Sequence, residues 1–299
     1  TLQVTQVATK KPTVYSPIVR TPNLKPVKEQ IANALALEKD GKIKEAFRAF
    51  YELTKDSDKE QAWQALAEFS SRHENSDYWN DRDGRPYEEA HNWTVKAAEK
   101  GIRNAQYWLA FLFRSHTFTG KKDYAKSLYW YRKAAKQGHL NAQLYLGSAL
   151  NYGEYFKEDK AEASKWYEQA ALQGNDRAQY ELGMLYRYGS GVDKSYDKSN
   201  KWLKKAAEQG NVEAMYKLGS SYYLGYGFKK DYNQTKLWYL KAAEKGHVDA
   251  QYGLGQMYFS GLLGNNPKEA VKWLGKAATQ GHEKAKRFLP LAKNILQQK

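Results

Sequence analysis

The side chains of this chain best suited to chemistry are six histidines, an acidic cluster at Asp77, Asp81 and Asp83, and small-residue loops at 189–191 and 225–227. Clustered histidines bind zinc, and spaced carboxylates bind calcium. A serine held between glycines suggests an acyl nucleophile, and glycine-rich turns suggest a phosphate cradle. None of these readings survives its context. His139, His247 and His282 each follow a glycine that recurs along the chain, and Asn175 and Asn211 fill the same place elsewhere. A position that takes either His or Asn is a polar helix start, not a ligand set. His73, His91 and His116 have no partner at zinc spacing. Ser190 lies in Gly189-Ser190-Gly191 without the flanking pattern of a nucleophile elbow. Gly225-Tyr226-Gly227 lacks both a preceding strand and a following Lys-Ser/Thr. The acidic cluster lacks the alternating ligands and closing glutamate of a calcium loop. The expectation is a protein that is not an enzyme, with no catalytic set, no metal and no cofactor.

The recurring glycine belongs to a larger repeat. A tryptophan, a double alanine four residues on and then a glycine appear six times, at Trp93…Gly101, Trp130…Gly138, Trp166…Gly174, Trp202…Gly210, Trp238…Gly246 and Trp273…Gly281. The glycines are spaced by 37, 36, 36, 36 and 35 residues. Such a period marks stacked units, each burying its apolar face against its neighbours. Ahead of four of the tryptophans lies Ala-x-x-x-Leu-Gly: Ala142…Gly147, Ala178…Gly183, Ala214…Gly219 and Ala250…Gly255. Residues four apart share a helical face, and glycine there lets a second helix come close. The closing glycine suits a left-handed helix end.

Residues 1–27 hold Pro12, Pro17, Pro22 and Pro26 without helical periodicity, which predicts an extended arm or tether. Residues 28–61 read as a capping helical hairpin turned at Asp40-Gly41. The repeats are expected over 62–281, the first carrying a polar insertion at 75–85, and 282–299 as a terminal capping helix with Pro290 in the place of the Leu-Gly glycine.

These motifs resemble the Sel-1-like repeat family, a tetratricopeptide-like group. Ala178–Gly210 follows its pattern almost position for position, with Tyr186, Gly189, Trp202, Ala206 and Ala207 at the family's places. The resemblance implies an all-α, right-handed α/α superhelical solenoid that serves as a scaffold or adaptor. It also implies that many bacterial members are exported, some of them as immunity proteins neutralising secreted lipase or nuclease effectors.

Charge and composition set the partner classes. The chain has no cysteine and a net charge of +15, all of it over residues 102–299, where 32 Lys+Arg face 17 Asp+Glu. A cationic array attracts acidic proteins, anionic headgroups or nucleic acid. No base-reading module is present, so nucleic acid is not the expected partner. A membrane is expected only through the amino-terminal tether. The chain begins at Thr1, and a processed, periplasmic or secreted protein is expected, with a cytoplasmic one as the alternative. By analogy with tetratricopeptide geometry, the concave face is expected to carry Tyr107, Phe111 and Arg114, then Leu144, Ser148 and Asn151, then Tyr180, Met184 and Arg187, then Tyr216, Ser220 and Tyr223, then Tyr252, Gln256 and Phe259. Aromatic residues with arginine are typical of binding hot spots, and Arg114, Arg187 and Tyr223 are expected to be the most exposed. The leading expectation is a groove gripping one partner protein with an acidic surface, in its specific form a toxin effector such as a phospholipase. The alternatives are an envelope scaffold or signalling adaptor and, last, a peptidoglycan- or β-lactam-active enzyme.

Overall fold

A computed structural model describes residues 26–55, 60–72, 92, 94–115 and 122–298. Of the arm expected at 1–27, residues 1–25 lie outside these residues, as does the insertion at 75–85, and Val27 already belongs to the first helix. Every regular element among the described residues is a helix. The chain divides into two compact units, Thr1–Arg82 and Asp83–Lys299.

In the first unit, α1 (Val27–Lys39) and α2 (Ile43–Lys55) form a hairpin, with Gly41 at φ 75° in its turn. A third helix, α3 (Glu60–Arg72), packs on both. Phe47, Phe50 and Phe69 are buried together, with Phe50 and Phe69 5.3 Å apart between ring centres. Arg72 donates two hydrogen bonds of 2.7 Å to the Glu38 carboxylate, a paired contact between α3 and α1.

The second unit repeats one hairpin. Its first helices are α4 (Arg103–Arg114), α6 (Leu140–Tyr152), α8 (Asp176–Tyr188), α10 (Val212–Leu224) and α12 (Val248–Phe259). Its second helices are α5 (Tyr124–Lys136), α7 (Lys160–Leu172), α9 (Tyr196–Glu208), α11 (Tyr232–Glu244) and α13 (Pro267–Thr279). Each helix packs against the next in sequence, and α14 (Glu283–Gln297) closes the stack. Ahead of α4, residues 94–99 are helical and bury Ala97 and Ala98; Trp93 lies outside the described residues.

Helix ends follow from the sequence. Second helices start on Asp123, Asp159, Ser195, Asp231 and Asn266, each accepting a backbone N–H from the first turn. Apart from α4, which starts after Ile102 without a side-chain cap, the first helices and α14 start on the His/Asn position: Asn175 and Asn211 accept from Ala178 and Ala214 at 2.8 and 2.9 Å. The Nδ1 atoms of His139, His247 and His282 accept at 3.3, 3.2 and 3.1 Å. Three histidines are thus helix caps, as the shared position predicts. The glycine before each takes φ between 81° and 93°, where a side chain would be strained.

The core shows which residue of the repeat carries the packing. A methyl group on Gly147, Gly183, Gly219 or Gly255 would come within 3.0 Å of Tyr167, Leu203, Tyr239 or Leu274. Each partner is the residue directly after the repeat tryptophan, and all four are buried, as is Tyr131. Burying such a side chain stabilises by about 1.5–3 kcal/mol. The tryptophans border this column: Trp166, Trp238 and Trp273 are buried, whereas Trp130 and Trp202 are half-buried. Pro290 takes the glycine's place in α14, yet the helix runs on through it to Gln297. No helix of the described residues is long and apolar enough to cross a membrane.

Candidate functional site

The residues expected on the concave face recur at i, i+4 and i+7 along the first helices, so each set shares one helical face. The structure shows what that face does in the fold. Tyr107, Tyr216 and Tyr252 stack on His139, His247 and His282, the caps of the following first helices, at 4.3, 4.4 and 4.3 Å. Where the cap is Asn211 instead, its Nδ2 donates to Asp176 at 2.9 Å. The Ser220 and Tyr239 hydroxyls lie 3.1 Å apart, and Phe259 meets Phe288 edge-on at 5.7 Å. Arg114 lies over the rings of Phe111 and Tyr145. Leu144, Ser148, Met184, Tyr180 and Tyr223 are half-buried, Asn151 is buried, and Gln256 is exposed. The ladder therefore seals the seams between units with its inner edge and leaves its outer edge to solvent.

Arg187 corrects the expectation of exposure. It is 7% exposed, donates to Ser221 Oγ at 2.8 Å and lies over the Tyr226 ring. Asn200 Nδ2 donates to the Tyr226 carbonyl, and Tyr196 stacks on the Tyr226 ring. The guanidinium is thus spent on α10, through Ser221, and on the loop after it, through the Tyr226 ring. Arg114 and Tyr223 are half-buried rather than open.

Among the described residues, two clefts open on this face. One, of about 520 Å³, is lined by Asn151, Tyr152, Glu158, Lys160, Tyr180, Glu181, Met184, Leu185, Tyr188 and Ser190. Burial pushes the Glu181 carboxyl above its ordinary range against the pull of Arg177, and pushes the Tyr180 hydroxyl up to about 12. The other, of about 400 Å³, joins Tyr216 and Tyr252 to Asp249, His282, Glu283 and Lys284. Three expected residues, Asn151, Tyr180 and Met184, meet in the first cleft, and two in the second. Tyr152 and Tyr188 were not foreseen. They hold the last place before the helix-ending Gly153 and Gly189, and are 63% and 65% exposed. Their position just before a glycine cap was the available signal.

Charge is divided between the two helix sets. The first helices carry Arg103, Arg114, Arg177, Arg187 and Lys217 against Asp176, Glu181, Glu213 and Asp249, so their face is close to neutral. The cationic excess lies on the second helices, the loops and α14. There Lys205, Lys241 and Lys276 stand over Trp202, Trp238 and Trp273 at 4.5, 4.4 and 4.8 Å.

A second unforeseen set is a glutamine relay between units. Gln106, Gln143, Gln179 and Gln251 are buried and donate to the carbonyls of Ala98, Ala135, Ala171 and Ala243. Each accepts in turn from the glutamine ending its own second helix: Gln137, Gln173, Gln209 or Gln280. In the remaining unit both partners change together, to Met215 and Lys245. No cluster of three His, Asp or Glu able to hold a metal is found among the described residues.

Comparison with known proteins agrees with this geometry. The Sel1 repeat profile matches residues 78–102, 103–139, 140–175, 176–211, 212–247 and 248–282. A protective antigen of uropathogenic Escherichia coli, with an SLR fold, superposes with a TM-score of 0.73 at 30% identity, over 88% of this chain and 56% of the antigen. The chain thus spans little more than half of that relative's length. A Sel1 repeat protein from Oxalobacter formigenes gives a TM-score of 0.57 at 26% identity, over 83% of this chain and 96% of the other. The C-terminal part of a TPR repeat-containing protein from Cytophaga hutchinsonii shares the fold at 15% identity, with a TM-score of 0.52 over 87% and 99% of the two chains. No curated protein matches the chain. Repeat length, cap chemistry, the paired glycine and core residue, and the profile match over most of the sequence agree: this chain is a member of the Sel1 repeat family, an all-α solenoid of helical hairpins.

Proposed function

We propose that this protein is a non-catalytic scaffold that grips one partner protein along the exposed edge of its first helices. The observation that carries this reading is the cleft at 151–190. It combines exposed Tyr152 and Tyr188 with Tyr180, Met184 and Glu181 on a face that is otherwise near neutral. Exposed aromatics beside a partly desolvated polar group are the composition of interface hot spots. The lysines of the second helices act at longer range, drawing in a partner with an acidic surface before the first-helix face engages it.

In its specific form the partner is a secreted antibacterial effector, such as a phospholipase, and the protein is its periplasmic immunity factor. The test is co-expression with the product of the adjacent gene, followed by calorimetry on the purified chains. A nanomolar complex, weakened when Tyr152 and Tyr188 are both replaced by serine while helicity is retained, is the expected result. A complex indifferent to those replacements contradicts the binding face. Absence of any complex with a neighbour-encoded toxin ends the immunity reading.

A further inference from the structure

We propose that the cleft at 151–190 receives the guanidinium of an arginine side chain presented by the partner protein, an assignment that rests on the first-helix face being the binding face. The cleft has walls, a floor and an acceptor. Tyr152 and Tyr188 project from equivalent ends of α6 and α8 and are 63% and 65% exposed, so their ring faces are open to a ligand. Tyr180 and Met184 line the cleft between them.

Glu181 lies in this lining and is half-buried. Its carboxyl is pushed up because burial outweighs the attraction of Arg177, so the protein leaves this charge incompletely compensated. At the rim, Lys160 is already paired with Glu158 at 3.1 Å and does not serve Glu181. The floor adds a second acceptor: Asn151 is 9% exposed, and its Oδ1 has no hydrogen-bond partner.

These features select the ligand. An anion would face Glu181 and Glu158 together. An apolar side chain would bury the Glu181 carboxylate further without a partner. A cation answers both the carboxylate and the electron-rich ring faces. Guanidinium fits better than ammonium because it is planar, weakly hydrated and carries five donors, enough to serve a carboxylate, stack on tyrosine and reach a turned Asn151 amide.

The test is an NMR titration of the full chain with N-acetyl-arginine methylamide and with its neutral counterpart, N-acetyl-citrulline methylamide. The expected result is saturable shifts confined to residues 151–190 with arginine, and binding of citrulline about tenfold weaker because the charge is gone. Glu181→Gln keeps the side-chain shape, removes a desolvated charge and is expected to unfold no earlier than the parent; it should abolish the preference for arginine over citrulline. Equal binding of the two compounds, shifts outside the cleft, or a preference unchanged by Glu181→Gln would overturn the proposal. The same variant separates this proposal from the scaffold reading. A partner complex that forms undiminished with Glu181→Gln but is lost when Tyr152 and Tyr188 are replaced removes the arginine subsite and leaves the binding face standing.

Discussion

Gly255 and Gly275 sit in adjacent helices and make opposite predictions. An added methyl on Gly255 would stand 2.7 Å from Leu274 Cγ and 2.9 Å from its backbone nitrogen, whereas a methyl on Gly275 would meet nothing within 4 Å beyond its own helix backbone. Backbone cannot swing aside as a side chain can, so Gly255→Ala should cost about 1–3 kcal/mol. Gly275→Ala should instead stabilise by about 0.5–1 kcal/mol, because helical alanine is less costly to order than glycine. Urea unfolding of the two variants reads the difference directly. The same contact shows where sequence reading stopped at this scale. Tryptophan is conspicuous by type and period, and it drew attention from the residue after it. That neighbour is Tyr or Leu in five copies and Thr94 in the first, so no single letter marks it, yet in four of them it fills the space the glycine vacates. Arg187 departs from its expected exposure for a related reason. Its helical phase is that of the open face, but its partners Ser221 and Tyr226 come from the next unit and its following loop.

At the scale of a helix, the His/Asn start position has a consequence for pH. The His139 ring accepts a backbone N–H through Nδ1 and stacks on Tyr107, so only neutral imidazole serves as the cap. Burial, aided by Arg103, lowers its pKa to about 4 from an ordinary 6.5. A folded-state value below the unfolded one means the unfolded chain takes up the proton first. The stabilisation from this cap is therefore complete above pH 6.5 and is lost as pH falls from there towards about 4. His139→Asn should retain the cap, as Asn175 and Asn211 do, and flatten the thermal midpoint across that window. A steep fall unchanged in the variant would assign the acid sensitivity to other groups. The glutamine relay gives a second prediction. Gln143→Met removes the side-chain donor to the Ala135 carbonyl, which keeps the Gly138 N–H at 2.9 Å, and the acceptor of the exposed Gln173 amide, which should cost about 0.5–1.5 kcal/mol. Adding Gln173→Lys recreates the Met215 and Lys245 pairing and should recover part of that loss, a coupling that a double-mutant cycle measures. The caps were legible in the sequence because their alternatives share a chemistry. The relay was not, because a buried glutamine looks like a surface residue until its partners 8 and 30 residues away are brought to it.

For the repeat unit as a whole, periodicity alone disclosed the helical hairpins, since a 36-residue spacing leaves room for two helices and two turns. Charge placement was not disclosed by composition. Net charge is a property of the chain, whereas binding depends on which helix set carries it, and here the lysines stand over the tryptophans of the second helices. In the proposed reading, recognition falls to a near-neutral, aromatic first-helix face, with long-range attraction supplied from elsewhere on the molecule. Raising salt should slow association with an acidic partner far more than it speeds dissociation. The most direct test of the binding face is hydrogen exchange of the full chain, free and in complex with its partner. Added protection should concentrate in α6, α8 and α10 and in the turns that end them, around Gly153, Gly189 and Gly225. Protection concentrated instead in α9, α11 and α13, with the first helices unchanged, would contradict it.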